Sequence, residues 1–314
     1  MRRYNCPQKG HITQKIKENI KMVEIFEKCV GKYKKQPFEW IKQQFKWSWM
    51  HLLLNPVCNQ NFLEEEIMGI MQWRYENENS ILRKIVEFDD IPYRYCVLGI
   101  LWVEKTYVVV FDGFYSLKIK IDPDLYEKLK NLSLGDKIHV FGMELLIEKP
   151  ISIFEAGNEM LLKLNFNGTQ ICMKNTALGY RKRIAFLNSI GEIRMDGGVI
   201  SGLIFRIEKI IETKYLVVAG NYRKKVDDYE EEIENIVEMA EKAGRILKKE
   251  EVSIKKYCTV KITDESAECL LTWWNPPEIK KDEKYKMVYL NPSKRSIGLK
   301  LNTSKKTYYE KSNN

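Results

Sequence analysis

The stretch YCVLGILWVEKTYVVVFDGFYSLKIKIDPDLYEKLKNL, residues 95–132, decides the fold prediction. Two apolar runs and one strictly alternating run predict three strands, 95–104, 106–111 and 114–121. Asp112-Gly113 is a hairpin signal before the third strand. Asp122-Pro123 then begins a short helix with leucines on one side. This order predicts a three-stranded meander followed by a helix.

Two further strands complete this unit. Residues 137–147 and 160–166 are strongly apolar and rich in strand-forming residues. Three strands, a helix and two strands is the order of an OB-fold, a five-stranded barrel whose helix lies between strands three and four. We therefore predict a first OB-fold over residues 93–182.

A similar series follows Asp196-Gly197-Gly198. Strands are predicted at 199–211, 214–219, 257–263, 267–274, 285–290 and 296–301. Between the second and third of these, residues 227–249 form an amphipathic pattern with acids at the start and Lys248-Lys249 at the end, as the helix dipole favours. We predict a second OB-fold over 183–314, with a helical insertion at about 226–252.

Residues 1–92 have the pattern of a helical domain. From Phe38, apolar residues recur at steps of three and four along one helical stripe. Trp40 and Trp47, seven residues apart, form a second stripe on that helix. Two further helices are predicted from Leu63 and from Ile81. The fold class is thus α+β and multidomain, an all-α N-terminal domain followed by two OB-fold barrels.

The charge is unevenly distributed along the chain. The formal net charge is +9, with +8 in residues 1–49, +7 in 280–311 and −6 in 227–251. Two basic segments predict polyanionic partners, of which nucleic acid and an acidic protein are both candidates. Composition alone does not distinguish them.

The composition gives little support to other classes of protein. The seven cysteines form no CxxC pair and the three histidines are far apart, so we expect reduced thiols, no metal and no cofactor. No apolar run approaches the roughly 20 residues of a membrane span. No Walker loop or GxSxG motif is present, and the carboxylate pairs fall at helix ends. We expect a protein that is not an enzyme and has no membrane partner.

Several collinear segments resemble the breast cancer type 2 susceptibility protein family in its C-terminal DNA-binding region. FKWSWMHLLL (45–54) and QWRYENENSILRKIVEFDD (72–90) resemble its helical domain. FDGFYSLKIKIDPDL (111–125) and GDKIHVFGMEL (135–145) resemble its first OB-fold, and NEMLLKLNFNGT (158–169) and LGY (178–180) continue it in register. DGG (196–198), TWWNPPE (272–278) and TSKKTYY (303–309) resemble its second OB-fold. The resemblance covers about residues 37–309, so the chain looks like a compact homologue.

The resemblance implies a recombination mediator. In this family the helical domain and first OB-fold bind a small acidic protein, the proteasome-lid subunit deleted in split-hand/split-foot malformation. The later OB-folds bind single-stranded DNA, and the RecA-like recombinase is a further candidate partner. Three features differ here: the short insertion replaces the family's long tower, no third OB-fold follows, and no Phe-x-x-Ala tetrapeptide of the recombinase-binding repeats occurs.

Stacked aromatics and cations bind single strands on OB-folds. Trp273 and Trp274 are adjacent on one strand and so point to opposite faces. We expect Trp273 in the core and Trp274 as a base platform, although both could be structural. The candidate phosphate contacts are Lys261, Lys286, Lys294, Arg295, Lys300, Lys305, Lys306 and Arg206.

An acidic partner with aromatic anchors needs apolar pockets edged by cations. The candidates for this surface are Trp40, Phe45, Trp47, Trp49, Arg74, Tyr75, Arg83, Lys84, Lys118 and Lys120. Of these, Trp40 and Trp47 are expected to have the most exposed surface, and the other aromatics to lie mainly in the helical core.

The sequence thus predicts a nuclear scaffold that binds single-stranded DNA during double-strand-break repair by homologous recombination. Two alternatives remain open. One is a generic single-strand protector similar to replication protein A, and the other is a protein-interaction scaffold whose OB-folds do not bind DNA.

Overall fold

The computed structural model describes residues 22–53, 63–157, 159–173, 175–182, 186–220, 222–242, 251–293 and 296–312, with the backbone alone for 50–53. Helices come first and two β-rich units follow, as the sequence predicts in outline. Of the described helices, none combines the length and hydropathy that a membrane crossing requires.

The described part of the N-terminal region is helical. Its helices are α1 (22–32), α2 (Phe38–Leu53), α3 (Leu63–Glu76) and α4 (Ile81–Val86). Ile67 and Met71, one turn apart on α3, are fully buried in the same cluster as Ile25 of α1. Ser80 caps α4, since its side chain accepts a hydrogen bond from the backbone N–H of Arg83. These helices pack through apolar stripes of the kind that the sequence predicts.

The first barrel contains a meander, a helix and closing strands. Its elements are β1 (Tyr95–Val103), β2 (Tyr107–Phe111), β3 (Ser116–Lys120), α5 (Pro123–Leu129), β4 (Lys137–Phe141), β5 (Glu144–Leu145), β6 (Leu162–Lys163), β7 (Thr169–Cys172) and β8 (Gly179–Tyr180). Strand β1 pairs antiparallel with β2 and β4, and β6 runs parallel to β3. Strand β7 returns antiparallel to β4, so the sheet curls into the OB arrangement.

The helices and the first barrel share one hydrophobic core. Ile85 of α4 and Val110 of β2 are both fully buried in a single cluster that extends from α1 to β6. Asp112, which is 2% exposed, connects the two parts. One carboxylate oxygen accepts hydrogen bonds from the Ser80 hydroxyl (2.6 Å) and the Leu82 N–H (3.1 Å), and the other accepts from two N–H groups of the β2–β3 turn. The hairpin aspartate therefore holds the start of α4 against the barrel.

The second barrel repeats this strand order. Its elements are β9 (Ile200–Ala219), β10 (Tyr222–Val226), α6 (Glu230–Lys242), β11 (Ser253–Thr263), β12 (Glu268–Trp274), β13 (Lys284–Pro292), β14 (Lys300–Asn302) and β15 (Tyr308–Ser312). Strand β9 pairs with β11 and β13, β14 runs parallel to β12, and β15 pairs with β13. Phe205, Leu271 and Trp273 lie in its buried core.

The second barrel differs from the prediction in three ways. The strands predicted at 199–211 and 214–219 are one continuous strand, β9, because pairing with β11 continues through both. The last strand, β15, was not predicted. The insertion contains strand β10 as well as the predicted helix, whose described part ends at Lys242.

A buried aromatic cluster forms the joint between the two barrels. Tyr95 and Phe141 of the first barrel form a buried cluster with Phe186, and Tyr289 packs against it. Asn167, 1% exposed, donates from its side-chain amide to the backbone carbonyls of Arg194 and Gly198, at 2.8 and 2.9 Å. Such a fully hydrogen-bonded buried amide fixes the orientation of the two barrels.

The Asp196-Gly197-Gly198 turn fits this joint because its two glycines have no side chains. Gly198 has a φ of +79°, and a Cβ there would lie 2.6 Å from the Cβ of Asn165. A Cβ on Gly197 would lie 2.8 Å from the side-chain oxygen of Asn167. Glycine is required at both positions by the close approach of the first barrel.

Acid is expected to weaken this joint through His139. The ring of His139 stacks on Phe186 at 5.6 Å between centroids, and its Nδ1 lies 2.7 Å from the Tyr95 hydroxyl. Burial lowers the pKa of His139 below its ordinary value, and the Arg181 guanidinium lowers it further. The stabilisation is present above the unfolded pKa of about 6.5 and is lost as pH falls through the lower folded value. We expect the free energy of unfolding from urea titrations to decrease between about pH 7 and pH 5.5, and to decrease less in His139→Gln. An equal pH response in both proteins would contradict this role.

Candidate nucleic-acid interface

The face of β11 and β12 opposite the core is the candidate groove of the second barrel, and within it Tyr257 is 4% exposed and Thr259 is 5% exposed. Cys258 and Val260 point into the core, so Tyr257 and Thr259 lie on the other face of β11. Tyr257 pairs with Trp274 across the strands. This face and the loops at its ends are where OB-folds bind oligonucleotides.

Two aromatic rings lie together at one end of the groove. The ring centroids of Trp274 and Tyr257 are 5.0 Å apart, with planes tilted by 41°. Burial raises the pKa of the Tyr257 hydroxyl above its ordinary value, so this group stays neutral near pH 7. The backbone N–H of Trp274 donates to the Thr303 hydroxyl at 2.8 Å, which fixes the end of β12. Trp274 is half-buried and Trp273 is 1% exposed, the arrangement predicted from their alternation.

Lysines lie on the same face of the sheet as these rings. The Nζ of Lys225 lies 5.3 Å from the Tyr257 ring centroid. Lys300 of β14 pairs in register with Leu270 of β12, two pairs before the Thr272–Asn302 pair. Glu212 lies opposite Thr259 in the β9–β11 pairing. A hydrogen bond from Lys214 lowers the pKa of Glu212, and Thr259 and Lys300 lower it further. The groove thus combines stacking surface with cations.

Three predicted phosphate contacts are already paired with acids. Lys261 lies on the groove face, but its Nζ is 2.6 Å from Glu268 and 3.1 Å from Glu208, and these hydrogen bonds raise its pKa. Arg206 lies 3.4 Å from an Asp282 oxygen. Lys286 is similarly paired with Glu310, at 3.3 Å. Their charge is locally compensated, which the sequence did not indicate because Glu208, Asp282 and Glu310 are distant from their partners along the chain.

The remaining predicted cations lie elsewhere. Lys305 and Lys306 follow β14, in the turn that leads to β15. The Nζ of Lys306 lies 4.8 Å from the Tyr93 ring centroid and 5.5 Å from that of Tyr289, at the joint between barrels. Lys294 and Arg295 fall outside the described residues.

The second candidate surface lies where the helices meet the first barrel, and Trp40 corrects a prediction there. Trp40 was expected to be exposed, but it is 1% exposed. Its Nε1 donates to Glu78 at 3.1 Å, and its ring contacts Tyr33 and Tyr75. The second stripe of α2 is therefore covered at Trp40 by α3 and the segment after it.

Trp47 was also expected to have exposed surface, and it is half-buried, with its ring against the first barrel. Its ring stacks on Phe111 of β2, with 3.9 Å between centroids and an interplanar angle of 22°. Phe45 contacts Phe26 edge-on at 5.1 Å, and Trp49 packs against the shared core. These three side chains therefore contribute to the packing of the helices.

Arg74 and Arg83 have structural partners. Arg74, 8% exposed, donates to the Gln44 side chain at 2.6 Å and to the Phe114 carbonyl at 3.2 Å. Arg83 bridges Glu78 at 2.7 Å and Glu87 at 2.9 Å. Both guanidinium groups connect segments of the shared core.

The first barrel and the short helix before it match a known family model. Residues 80–182 match the model described as BRCA2, oligonucleotide/oligosaccharide-binding, domain 1. These residues belong to the BRCA2 OB1 family. The match begins at Ser80, the α4 cap that bonds Asp112, so the family domain includes the helix that shares its core.

Solved structures resemble the chain at low sequence identity. An OB domain from Thermoplasma acidophilum has 11% identity and a TM-score of 0.27, and the match covers 40% of this chain and 87% of that one. A replication factor A related protein from Methanobacterium thermoautotrophicum has 10% identity and a TM-score of 0.27, with 42% and 96% covered. A murine DNA-binding protein solved with double-stranded DNA has 10% identity and a TM-score of 0.27, with 69% and 95% covered.

The exposed part of the surface at the BRCA2 OB1 domain differs from the predicted set. Trp73, which was not among the candidates, is 57% exposed, and its ring lies parallel to Phe114 at 6.3 Å. Tyr75 is 47% exposed. A cleft of about 360 Å³ is lined by Trp73, Gly69, Ile70 and Arg74. Trp73 precedes the predicted Arg74-Tyr75 pair on α3, so the 3.6-residue period could have identified it as the outward residue.

Three predicted lysines lie within the residues that match the family model. Lys120 is exposed at the end of β3, and the Nζ of Lys118 lies 3.9 Å from the Tyr107 ring centroid. Lys84 donates to Asn79 at 2.5 Å. Lys118 and Lys120 therefore supply positive charge on β3, which lies between β2 and β6.

Proposed function

We propose that this chain is a non-catalytic nuclear scaffold that binds single-stranded DNA during double-strand-break repair by homologous recombination. The observation that carries the proposal is the half-buried Trp274 ring on the OB face opposite the core, packed against the buried Tyr257 ring. The Nζ of Lys225 lies 5.3 Å from the Tyr257 ring centroid, and Lys300 pairs with Leu270 on the same face. Aromatic rings stack on unpaired bases and cations bind the backbone, a combination suited to single strands. The BRCA2 OB1 match over residues 80–182 supports the recombination setting.

The proposal includes a small acidic partner, the proteasome-lid and split-hand/split-foot protein, bound at the helical surface. The exposed rings of Trp73 and Tyr75 supply apolar anchors of the kind that protein interfaces use. Lys118 and Lys120 supply charge that complements an acidic chain. Contact with the RecA-like recombinase would use a surface other than a Phe-x-x-Ala repeat.

A second candidate function is a protein-interaction scaffold whose barrels do not bind DNA. It is favoured by the acid pairing of Lys261, Lys286 and Arg206, which removes three of the predicted phosphate contacts. The two functions differ in salt response, because phosphate binding releases counterions.

The test is fluorescence anisotropy with labelled oligo-dT and a matching duplex over a salt series. We expect preference for the single strand and a steep dependence of log K on log salt. Lys300→Ala should reduce that slope by about 0.7, the value for one phosphate contact on a single strand. Lys261→Ala removes the same charge but leaves the slope nearly unchanged, because two carboxylates already neutralise that lysine.

A flat salt response in the wild-type protein, or equal affinity for duplex and single strand, would contradict the proposed function. Equal slope changes in the two lysine variants would show that the groove geometry does not determine which cations contact phosphate.

A further inference from the structure

The insertion continues the sheet of the second barrel. Strands β9 and β11 stay paired beyond Tyr257 as far as the Ser253–Val218 pair. Strand β10 pairs along the outer side of the same part of β9. The insertion is therefore a three-stranded extension of the barrel wall, with helix α6 on one side.

The side facing α6 is closed and contains one acid of the insertion, Glu232. Val217 of β9 forms a small core with Ile236 of α6 and with Val252. Glu232 of α6 is 6% exposed and accepts a hydrogen bond from Lys224 at 2.7 Å. The carboxylate of Glu232 is thus held on the helix side of the sheet.

The opposite side continues the groove. Residues paired across antiparallel strands point to the same face. Lys214 pairs with Tyr257, and Tyr257 with Trp274, which gives one row across three strands. The next row is Lys225, Leu216 and Lys255. The cation–π contact of Lys225 with Tyr257 shows that both rows share this side.

A third row adds another cation. Arg223 pairs with Val218, which pairs with Ser253. Successive rows are two residues apart, about 7 Å along the strands. We call Lys214, Leu216, Val218, Arg223, Lys225 and Lys255 the extension face.

The charge of this face is mostly uncompensated. Lys214 lies 3.1 Å from Glu212 and 4.0 Å from Asp227. Within the described ranges, Arg223, Lys225 and Lys255 have no acid at ion-pair distance. These cations lie beside the Trp274 and Tyr257 rings, where they can bind the phosphates of a strand that leaves the barrel groove.

We propose that the extension face is a second sector of the single-strand site, which holds the backbone of the strand along the two rows beyond the row that contains Trp274. The inference rests on the proposed function and adds a defined path to it. The barrel sector stacks bases, and the extension sector binds phosphates with little base contact, because its uncharged residues are aliphatic.

The test uses Arg223→Ala/Lys225→Ala/Lys255→Ala with oligo-dT of about 6, 12 and 20 nucleotides, a range that spans the site sizes of OB-folds. On the longest oligonucleotide we expect the salt slope to decrease by about 2, from three lost phosphate contacts at about 0.7 each. On the shortest, which fills the barrel sector alone, the slope should change little. The matched control is Lys34→Ala/Lys35→Ala/Lys46→Ala, which removes the same charge from exposed residues of the helical region.

The outcomes separate the two proposals. If the wild-type protein does not bind oligo-dT, the proposed function fails and this inference fails with it. If wild type binds but the extension variant keeps its slope at every length, the inference alone is overturned. A slope that falls equally at all lengths, or falls as much in the control, would also overturn it, because it would reflect net charge. Circular dichroism melting confirms that both triple variants are folded.

Discussion

Replacing Trp274 with alanine is expected to weaken the binding of oligo-dT by about 1–3 kcal/mol, roughly 5- to 150-fold. The indole is half-buried beside Tyr257 and forms the larger of the two rings at the end of the groove. The substitution leaves the lysines in place, so the affinity should fall while the salt slope stays near its wild-type value. Anisotropy titrations across a salt series measure both quantities.

The matched control is Trp102→Ala, which removes an indole that is 59% exposed on the first barrel. This variant should bind as the wild type does, and Trp274→Phe should recover most of the lost affinity because it keeps an aromatic face. Equal losses in the two alanine variants would argue against a stacking role. Urea unfolding of Trp274→Ala distinguishes lost stacking from lost stability.

Replacing Asp112 with alanine is expected to destabilise the protein by about 3–5 kcal/mol. Three backbone N–H groups and the Ser80 hydroxyl lose their acceptor in a region where water does not replace it. A domain is stable by only about 5–15 kcal/mol, so the variant should be near the limit of folding. The midpoint of urea unfolding, followed by circular dichroism, measures the change.

Asp122→Ala is the control for this variant. Asp122 caps α5 by accepting a hydrogen bond from the Leu125 N–H at 2.8 Å, and it is half-buried. Loss of such a cap costs about 0.5–2 kcal/mol. If Asp112→Ala is no more destabilising than Asp122→Ala, the shared core does not depend on the junction that we describe.

Local patterns were sufficient to predict the three-stranded meander and the helix that begin the first barrel. The alternation in 114–121 and the turn at Asp112-Gly113 appear in the structure as β3 and the β2–β3 turn. The separation of Trp273 from Trp274 follows from the two-residue period of a strand, and needs no tertiary information. The shared core of helices and first barrel could not be predicted, because it depends on which elements meet in space.

The roles of single cations were harder to predict, for the same reason. Lys261 and Glu208 are 53 residues apart and become neighbours only through the β9–β11 pairing. Trp40 has the spacing of a second stripe, but its burial depends on α3 and Glu78. Tyr257 was not a candidate, since its position opposite Trp274 follows from strand register and not from its neighbours in sequence.

Strand β9 also has a mechanical consequence. It runs for 20 residues, about 65 Å of contour, and no loop separates the barrel half from the insertion half. Its pairing with β11 shifts register only opposite Thr259–Val260 and Lys261–Ile262, within the barrel. A force applied at the tip of the insertion is therefore transmitted along the hydrogen-bonded strands β9 and β11 to the barrel wall. No linker separates the two halves of β9, so the insertion and the barrel wall are expected to move together.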